Sequence, residues 1–232
     1  MQRYSVIEDK KKREIVLLRG SGCVHKKCIF CDYYLDSCKD EALNFALNKE
    51  VLDQVSGEYG ELEAINSGSV FELDKNTLDY IKKICKEKGI KTLHFEAHYL
   101  YRKRIPKLRE EFKDFDVKMR IGVETFDYHL REDILCKGIA ESNPQVIAQG
   151  FDEVNLLFGL SGQSVESMER DMELALENFA RVYVNIMCDN TTAVKPDKEV
   201  IGKFMQYIYP KYVGDSRVDI LINNTDFGVG EE

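Results

Sequence analysis

The amino-acid sequence predicts an α/β fold of parallel strands, and two observations support this fold class. Short runs of β-branched and apolar residues alternate with helix-length amphipathic segments about six times along the 232 residues. No linker rich in proline or glycine and no shift in composition divides the chain, so we expect right-handed crossovers within one domain over residues 1–232. A hydrophobic content of 44% is sufficient for one large core at this length.

The apolar runs predict seven strands: Ile15–Arg19, Leu62–Asn66, Thr92–Glu96, Val117–Val123, Glu153–Gly159, Arg181–Cys188 and Arg217–Ile222. Two of the predicted helices have clear end signals. A helix over Leu73–Lys88 is followed by Gly89, the residue expected after a helix C-terminus, and a helix over Ser164–Asn178 begins at a serine, a favoured N-cap residue. Because parallel strands place ligand sites at their carboxyl ends, residues directly after each run are the first candidates for function.

Composition and charge exclude several classes of protein. The net charge of −8 and the pI near 5.2 argue against a broad phosphate-binding surface, so we expect no stable complex with nucleic acid. Residues 2–13 are charged rather than apolar, and no window of 18 apolar residues occurs, so we expect a soluble cytoplasmic protein without a membrane partner. The odd count of seven cysteines does not suit a secreted disulfide framework.

Three cysteines are clustered after the first predicted strand, in a loop over residues 20–38. Cys23, Cys28 and Cys31 follow the apolar run directly, and three thiolates at the exit of a strand are able to hold a metal. The alternative is a zinc site completed by Cys38 or His25, because zinc sites also use the two-residue spacing found between Cys28 and Cys31.

Polar residues also follow the other strands at their carboxyl ends. These segments are Ser67–Ser69, Glu96–His98, Glu124–Asp127, Gly159–Gln163 and Asp189–Asn190. Each segment alone is a weak signal, since turns of small residues and carboxylates in ion pairs are both common after strands. Glu124, for example, has the simpler interpretation of an ion pair with Arg131 across a turn. Because all of these segments follow the carboxyl ends of parallel strands, together they predict a shared site.

Four of these segments resemble the radical S-adenosylmethionine superfamily. They are the cysteine loop with Phe30 before its last cysteine, the Ser67–Ser69 turn, the segment Ile121–Asp127 followed by Arg131 and Lys137–Gly138, and the segment Asn155–Gln163. The resemblance covers most of the chain and implies a partial (β/α)6 TIM-type barrel. One departure is that four residues, rather than the common three, separate Cys23 from Cys28, which implies an unusual loop geometry.

The resemblance implies a specific chemistry for the cysteine loop. Cys23, Cys28 and Cys31 would hold a 4Fe-4S cluster that leaves one iron open to chelate S-adenosylmethionine. Electron transfer into the sulfonium then yields a 5′-deoxyadenosyl radical, for which a flavodoxin- or ferredoxin-type protein would be the donor.

The matching positions also imply contacts with the co-substrate. The backbone around Phe30 and Tyr33 would lie against the adenine, and Ser67 and Gly68 would meet the methionine amino group. Glu124 would contact the ribose hydroxyls, and Arg131 would pair with the methionine carboxylate. Glu96 and Asn155 would line the same cavity.

Within the superfamily, the chain looks similar to the small queuine lyase group. The likeness lies in the compact length, the cysteine spacing and the segments Thr92–His98 and Phe158–Gln163. It implies conversion of the base queuine to 7-aminomethyl-7-deazaguanine for reuse in transfer RNA. The adenosyl radical would abstract a hydrogen from the cyclopentenediol portion, after which the bond to the exocyclic amine breaks.

This activity implies further site residues, which the sequence alone does not specify. The substrate contacts expected are His98, Asn185, Asp189 and Asp226, and the catalytic residues expected at the reacting atoms are Glu96 and Tyr99. Two other functions remain open. A radical enzyme that modifies transfer RNA directly would need a basic surface, which the acidic balance disfavours, and a zinc-bearing non-catalytic module would need zinc to fold.

Overall fold

A computed structural model describes residues 2–222, which group into two compact units. The first unit comprises residues 2–26 and 33–119, and the second comprises residues 27–32 and 120–222. In both units, strands alternate with helices. No helix within residues 2–222 combines the length and the apolar character that crossing a membrane requires.

Residues 2–222 form eight strands: β1 Tyr4–Ile7, β2 Arg13–Leu18, β3 Glu61–Asn66, β4 Thr92–Glu96, β5 Asp116–Glu124, β6 Glu153–Phe158, β7 Arg181–Ile186 and β8 Val218–Leu221. Strand order follows the chain within each unit, from β1 to β4 in the first and from β5 to β8 in the second. The seven predicted strands are confirmed as β2 to β8, and the pairs within each unit from β2 onward are parallel.

The strand β1 was not predicted, because its segment is short and flanked by charged residues. It pairs antiparallel with β2, with Tyr4 opposite Val16 and Ile7 opposite Arg13. Its side chains are only partly buried or exposed, so the apolar pattern that identifies an inner strand is missing. The charged N-terminal segment therefore adds an edge strand to the first unit.

Seven α-helices lie within residues 2–222: α1 Glu41–Leu52, α2 Lys75–Glu87, α3 Ile105–Glu111, α4 Pro144–Ile147, α5 Val165–Asn178, α6 Lys198–Lys203 and α7 Tyr209–Tyr212. Short 3₁₀ helices span Tyr33–Leu35, Val70–Glu72 and Tyr99–Arg104, and π-helical turns span His129–Ile134 and Phe204–Ile208. The two predicted helices are α2 and α5. Ser164 caps α5 as expected, by accepting a bond of 3.1 Å from Ser167 N, whereas α2 is capped by Asp74.

Each unit has its own apolar core between strands and helices. In the first unit, Phe95 of β4 is fully buried and packs edge-on against Phe112 with ring centroids 5.2 Å apart. In the second unit, Phe158 of β6 is fully buried and lies 5.5 Å from Phe204. Burial of such large side chains, at about 25 cal/mol per Å² of apolar surface, is the main stabilising contribution.

Ion pairs between neighbouring strands are buried in both units. Arg13 Nε lies 2.6 Å from Glu63 Oε2 in the first unit, where both side chains are at most 1% exposed. In the second unit, Arg120 pairs with Glu153 at 3.3 Å, and these two residues are opposite one another in the β5–β6 register. A slip of one residue would leave these charges buried and unpaired, so the pairs specify register.

Candidate functional site

In the first unit, a turn directly follows β3 at the predicted position. Ser67 Oγ donates to Asp36 Oδ2 at 3.2 Å, and Asp36 is itself held by the Arg3 guanidinium. The last residue of β3, Asn66, is 5% exposed and donates from Nδ2 to Ser69 O at 3.1 Å. Within residues 2–222, its buried Oδ1 has no hydrogen-bond partner. The turn therefore offers a buried acceptor beside the residues predicted to meet an amino group.

Gly68 in this turn has no space for a side chain. A Cβ at position 68 would lie 2.1 Å from Glu72 Oε2, a distance that atoms in contact do not reach. A side chain at position 68 would displace the Glu72 carboxylate from its bond with Ser69 N, so glycine allows the carboxylate to approach the backbone closely. The predicted glycine thus has a structural reason within the turn.

The cysteine loop contributes thiols to both units, with Cys23 in the first and Cys28 and Cys31 in the second. No cysteine of the described residues is in a disulfide, and these three are partly exposed. Gly22 adopts φ +97°, a conformation that favours glycine, and so turns the chain into Cys23. No three His, Cys, Asp or Glu side chains of residues 2–222 converge as metal ligands. The ligand set stays a prediction that rests on the donor chemistry.

The second part of the cysteine loop is fixed within the second unit. Phe30 packs against the buried cluster formed by Leu135, Leu157, Leu160 and Met187. Its carbonyl oxygen accepts a bond of 2.8 Å from Asn190 Nδ2, and Asp32 Oδ2 accepts bonds from Thr191 N and Oγ1 at 2.9 and 3.1 Å. Asn190 and Thr191 therefore support the loop. Their position directly after β7 marked them as candidates for the site, but their bonds to the cysteine loop were not predicted.

Glu124 ends β5 in a strained conformation beside Lys137. A bulge between Gly122 and Glu124 shifts the register with β6, and Glu124 has φ +70°, which is unusual for a residue other than glycine. Its Oε1 lies 2.5 Å from Lys137 Nζ, and both side chains are 11% exposed. A Cβ at position 122 would approach these two atoms to 2.7 and 3.0 Å. Gly122 therefore provides the space for the ion pair.

Lys137 interacts electrostatically with the two cysteines of this unit. Burial on its own lowers the pKa of Lys137, but the Glu124 carboxylate and the Cys28 and Cys31 thiolates outweigh burial and raise that pKa. Its Nζ lies 5.6 Å from the centre of the Phe30 ring. Lys137 thus carries a persistent positive charge close to two predicted cluster ligands. In the sequence, Lys137 stands out only as part of the Lys137–Gly138 motif.

Arg131, predicted to meet the methionine carboxylate, is bonded within its own segment of the second unit. Its side chain is fully buried, and its guanidinium donates to the carbonyl oxygens of Thr125, Ile139 and Glu141 and to the Glu132 carboxylate. Four of its five N–H groups are used in this way. The contact of Arg131 with a methionine carboxylate stays a prediction, and Glu124 forms its ion pair with Lys137. Arg131 instead holds together the segment that carries Lys137.

Replacing Arg131 by lysine is expected to lower the free energy of unfolding by about 3 kcal/mol. A lysine keeps the charge but cannot reach the three carbonyls in the fixed geometry of a guanidinium. Urea unfolding of the apoprotein measures the effect, with Arg217→Lys at an exposed pair with Asp215 as the control. Unchanged stability of the Arg131→Lys variant, combined with weaker binding of S-adenosylmethionine, would support the original interpretation.

Asp171 of α5 anchors the chain just after Glu124. It is 3% exposed, and its Oδ1 accepts a bond of 2.7 Å from Phe126 N. Burial raises the pKa of Asp171 to about 6, against smaller opposing effects from hydrogen bonds with Thr125 and Phe126. The folded protein therefore holds a proton that the unfolded chain releases at lower pH.

The variant Asp171→Asn should remove a pH dependence of stability. The pKa of Asp171 rises on folding from its ordinary 3.8, so its contribution to stability is present below about pH 4 and is lost as pH rises to about 6. The loss is at most roughly 3 kcal/mol, because one unit of pKa corresponds to about 1.4 kcal/mol. Urea unfolding between these pH values, with Glu177→Gln on the same helix as control, measures it. A wild-type-to-variant difference independent of pH would contradict the assignment.

The predicted residues after β4 lie in the first unit. Glu96 is partly buried at the end of β4. Tyr99 is 7% exposed with the Arg102 guanidinium 4.2 Å from its ring centre. His98 stacks on His25 with ring centroids 4.7 Å apart, and its Nδ1 accepts a bond of 3.2 Å from Leu100 N. This bond leaves the proton of a neutral His98 on Nε2.

The remaining predicted contacts are more dispersed. Asn155 lies on β6 opposite Gly122 of β5, and Asn185 of β7 donates from Nδ2 to Leu156 O at a long 3.4 Å. Asp189 is exposed, as is Tyr33. Asp226 lies outside the described residues.

Comparison with known proteins gives a likeness that extends over the full length of the chain. The chain is 43% identical to a queuine lyase from Clostridium spiroforme, determined with S-adenosylmethionine and queuine bound, with 100% of both chains covered and a TM-score of 0.95. No family model matches the chain. An uncharacterized protein of Methanocaldococcus jannaschii is 26% identical over 149 residues, which are 57% of this chain and 40% of that protein, so the chain spans less than half of that relative.

Two more distant structures share the fold alone. SuiB of Streptococcus suis, determined with S-adenosylmethionine bound, has a TM-score of 0.54 at 14% identity and covers 89% of this chain and 49% of its own. Methylornithine synthase has a TM-score of 0.51 at 18% identity, with 85% and 62% covered. Together with the full-length likeness, they confirm the predicted fold class, an α/β fold of the partial TIM-barrel type.

Proposed function

The chain belongs to the queuine lyase family of radical S-adenosylmethionine enzymes, and on that premise we propose that it converts queuine to 7-aminomethyl-7-deazaguanine. The observation that carries this proposal is the 43% identity over the whole of both chains with an enzyme that binds both S-adenosylmethionine and queuine. Its cofactors are accordingly a 4Fe-4S cluster and S-adenosylmethionine. We place its activity in the cytoplasm, where free thiols persist.

Cys23, Cys28 and Cys31 are the residues we assign to the cluster. All three are partly exposed thiols in one loop and outside any disulfide, and three thiolate ligands leave one iron open. When bound, the cluster supplies the electron that cleaves S-adenosylmethionine to the 5′-deoxyadenosyl radical. The nearby Lys137 ammonium supports the fit, because it offsets the negative charge of Cys28 and Cys31.

Two groups of residues would orient S-adenosylmethionine. Ser67 and Gly68 would meet its amino group, where the buried Asn66 Oδ1 adds an acceptor. Glu124 would contact the ribose hydroxyls. Lys137, rather than Arg131, would pair with the methionine carboxylate, because Lys137 lies beside Glu124 while the Arg131 guanidinium is occupied by carbonyl oxygens.

The substrate contacts follow from the polar residues after the strands. His98 would donate from Nε2 to queuine, since its Nδ1 is already an acceptor for Leu100 N. Asn185, Asp189 and Asp226 would recognise the deazaguanine edge, whose donors and acceptors match amides and carboxylates. Glu96 and Tyr99 would act closest to the reacting atoms. A flavodoxin- or ferredoxin-type protein would deliver the electron.

The proposed function is tested by a cleavage assay on the reconstituted protein. The chain is reconstituted anaerobically with iron and sulfide, then incubated with dithionite and S-adenosylmethionine, either with queuine, with queuosine-containing transfer RNA or without substrate. Mass spectrometry measures 5′-deoxyadenosine and released 7-aminomethyl-7-deazaguanine. Queuine-stimulated formation of both products is expected. Stimulation by transfer RNA alone would favour direct modification of RNA, and a colourless zinc protein without cleavage would overturn the radical chemistry.

A further inference from the structure

Glu72 connects two parts of the first unit that are distant in sequence. It ends the 3₁₀ helix Val70–Glu72, and its side chain is largely buried, with the whole residue 6% exposed. Its Oε1 accepts a hydrogen bond of 2.8 Å from Val24 N, directly after Cys23. Its Oε2 accepts a hydrogen bond of 2.8 Å from Ser69 N, directly after Gly68. One carboxylate therefore binds both the cysteine loop and the turn after β3.

Further hydrogen bonds hold Glu72 in the position that makes these two contacts. Tyr101 Oη donates to Oε1 at 3.1 Å, and burial and the Glu72 charge raise the pKa of Tyr101 to about 12, so its hydroxyl keeps its proton. The Glu72 carbonyl oxygen accepts a further bond of 3.0 Å from Ser21 N. Buried carboxylates persist when hydrogen bonds satisfy them, and three donors satisfy this one.

Two glycines give independent support for the close approach of Glu72. A Cβ at position 68 would lie 2.1 Å from Glu72 Oε2, and a Cβ at position 20 would lie 2.9 Å from Glu72 O. Neither glycine has the positive φ that by itself would require glycine. Space for Glu72 is therefore the reason for glycine at both positions.

We propose that Glu72 is a positioning residue that holds Cys23 and the Ser67–Ser69 turn in the geometry needed for S-adenosylmethionine, an inference that rests on the proposed function. It would not touch the co-substrate. Its two oxygens hold the peptide N–H groups next to a cluster ligand and next to the amino-group site, so the two contacts are set by one rigid planar group.

The test compares Glu72→Gln with wild type. Glutamine has the same size but only one acceptor oxygen, so it can retain the bond to Val24 N or to Ser69 N, but not both. In the apoprotein, hydrogen exchange by NMR should be about 10-fold faster for at least one of these amides. In the reconstituted enzyme, the KM for S-adenosylmethionine should rise about 10-fold, and the electron paramagnetic resonance change on adding S-adenosylmethionine to the reduced cluster should differ from wild type.

Two control variants make the result specific. Tyr101→Phe removes one donor but leaves both backbone bonds, so the exchange of the Val24 and Ser69 amides should remain slow. Glu87→Gln removes an exposed carboxylate of α2 and should change nothing. A Glu72→Gln variant with wild-type exchange rates, or with fast exchange but wild-type KM and spectrum, would overturn the proposal. If the wild type itself does not cleave S-adenosylmethionine, the proposed function fails, and the apoprotein exchange rates alone decide whether Glu72 holds both segments.

Discussion

Replacing Cys28 by alanine is expected to abolish the iron–sulfur cluster and all formation of 5′-deoxyadenosine. Two remaining thiolates cannot hold a cluster that needs three. The change should leave the fold intact, because the Cys28 carbonyl oxygen, which alanine retains, accepts the hydrogen bond of 3.4 Å from Cys31 N within the loop. Iron and sulfide content per chain and the yield of 5′-deoxyadenosine measure the loss.

Cys38→Ala is the matched control for this experiment. Cys38 lies in the same predicted loop and is also a free, partly exposed thiol. Its backbone bonds with Gly20 O and Asn44 Nδ2, at 3.1 and 2.8 Å, do not need the sulfur. The control variant should therefore keep its iron and its cleavage activity. Loss of metal from Cys38→Ala would point to a four-ligand zinc site, and retention of the cluster by Cys28→Ala would show that Cys28 is not a required cluster ligand.

Replacing Lys137 by methionine is expected to lower affinity for S-adenosylmethionine by about 100-fold and the free energy of unfolding by about 3 kcal/mol. The first effect follows from the loss of a charged partner for the methionine carboxylate, and the second from leaving Glu124 buried without its ion pair. Equilibrium dialysis of the reconstituted protein measures the affinity, and urea unfolding of the apoprotein measures the stability.

A double variant separates these two effects of Lys137. Glu124→Gln combined with Lys137→Met removes both charges, so the stability should largely recover, while binding of S-adenosylmethionine should remain weak. Lys211→Met is the control, because Lys211 pairs with Glu169 at the surface, where an ion pair contributes less than about 1 kcal/mol. Normal affinity in the destabilised Lys137→Met variant would limit Lys137 to a structural role.

Much of the fold was predictable from the sequence because strand formation depends on local patterns. The apolar runs that became β2 to β8 are buried on both faces or nearly so, which makes them continuous and easy to recognise. The edge strand β1 was missed because its pairing with β2 depends on backbone hydrogen bonds rather than on an apolar pattern. Residues 2–222 also divide into two compact units, a grouping that depends on contacts absent from the sequence.

The sequence by itself determined the cysteine loop, the glycines and the carboxylate at the end of β5, because each of these is set by residue type at a fixed spacing. Only the tertiary structure decided which basic side chain faces Glu124. Arg131 and Lys137 are six positions apart and chemically similar, but the guanidinium forms four hydrogen bonds inside its own segment, while the bulge and the positive φ at Glu124 bring its carboxylate to Lys137. Residue type and spacing specify a local motif, whereas the direction of a long side chain depends on the packing around it.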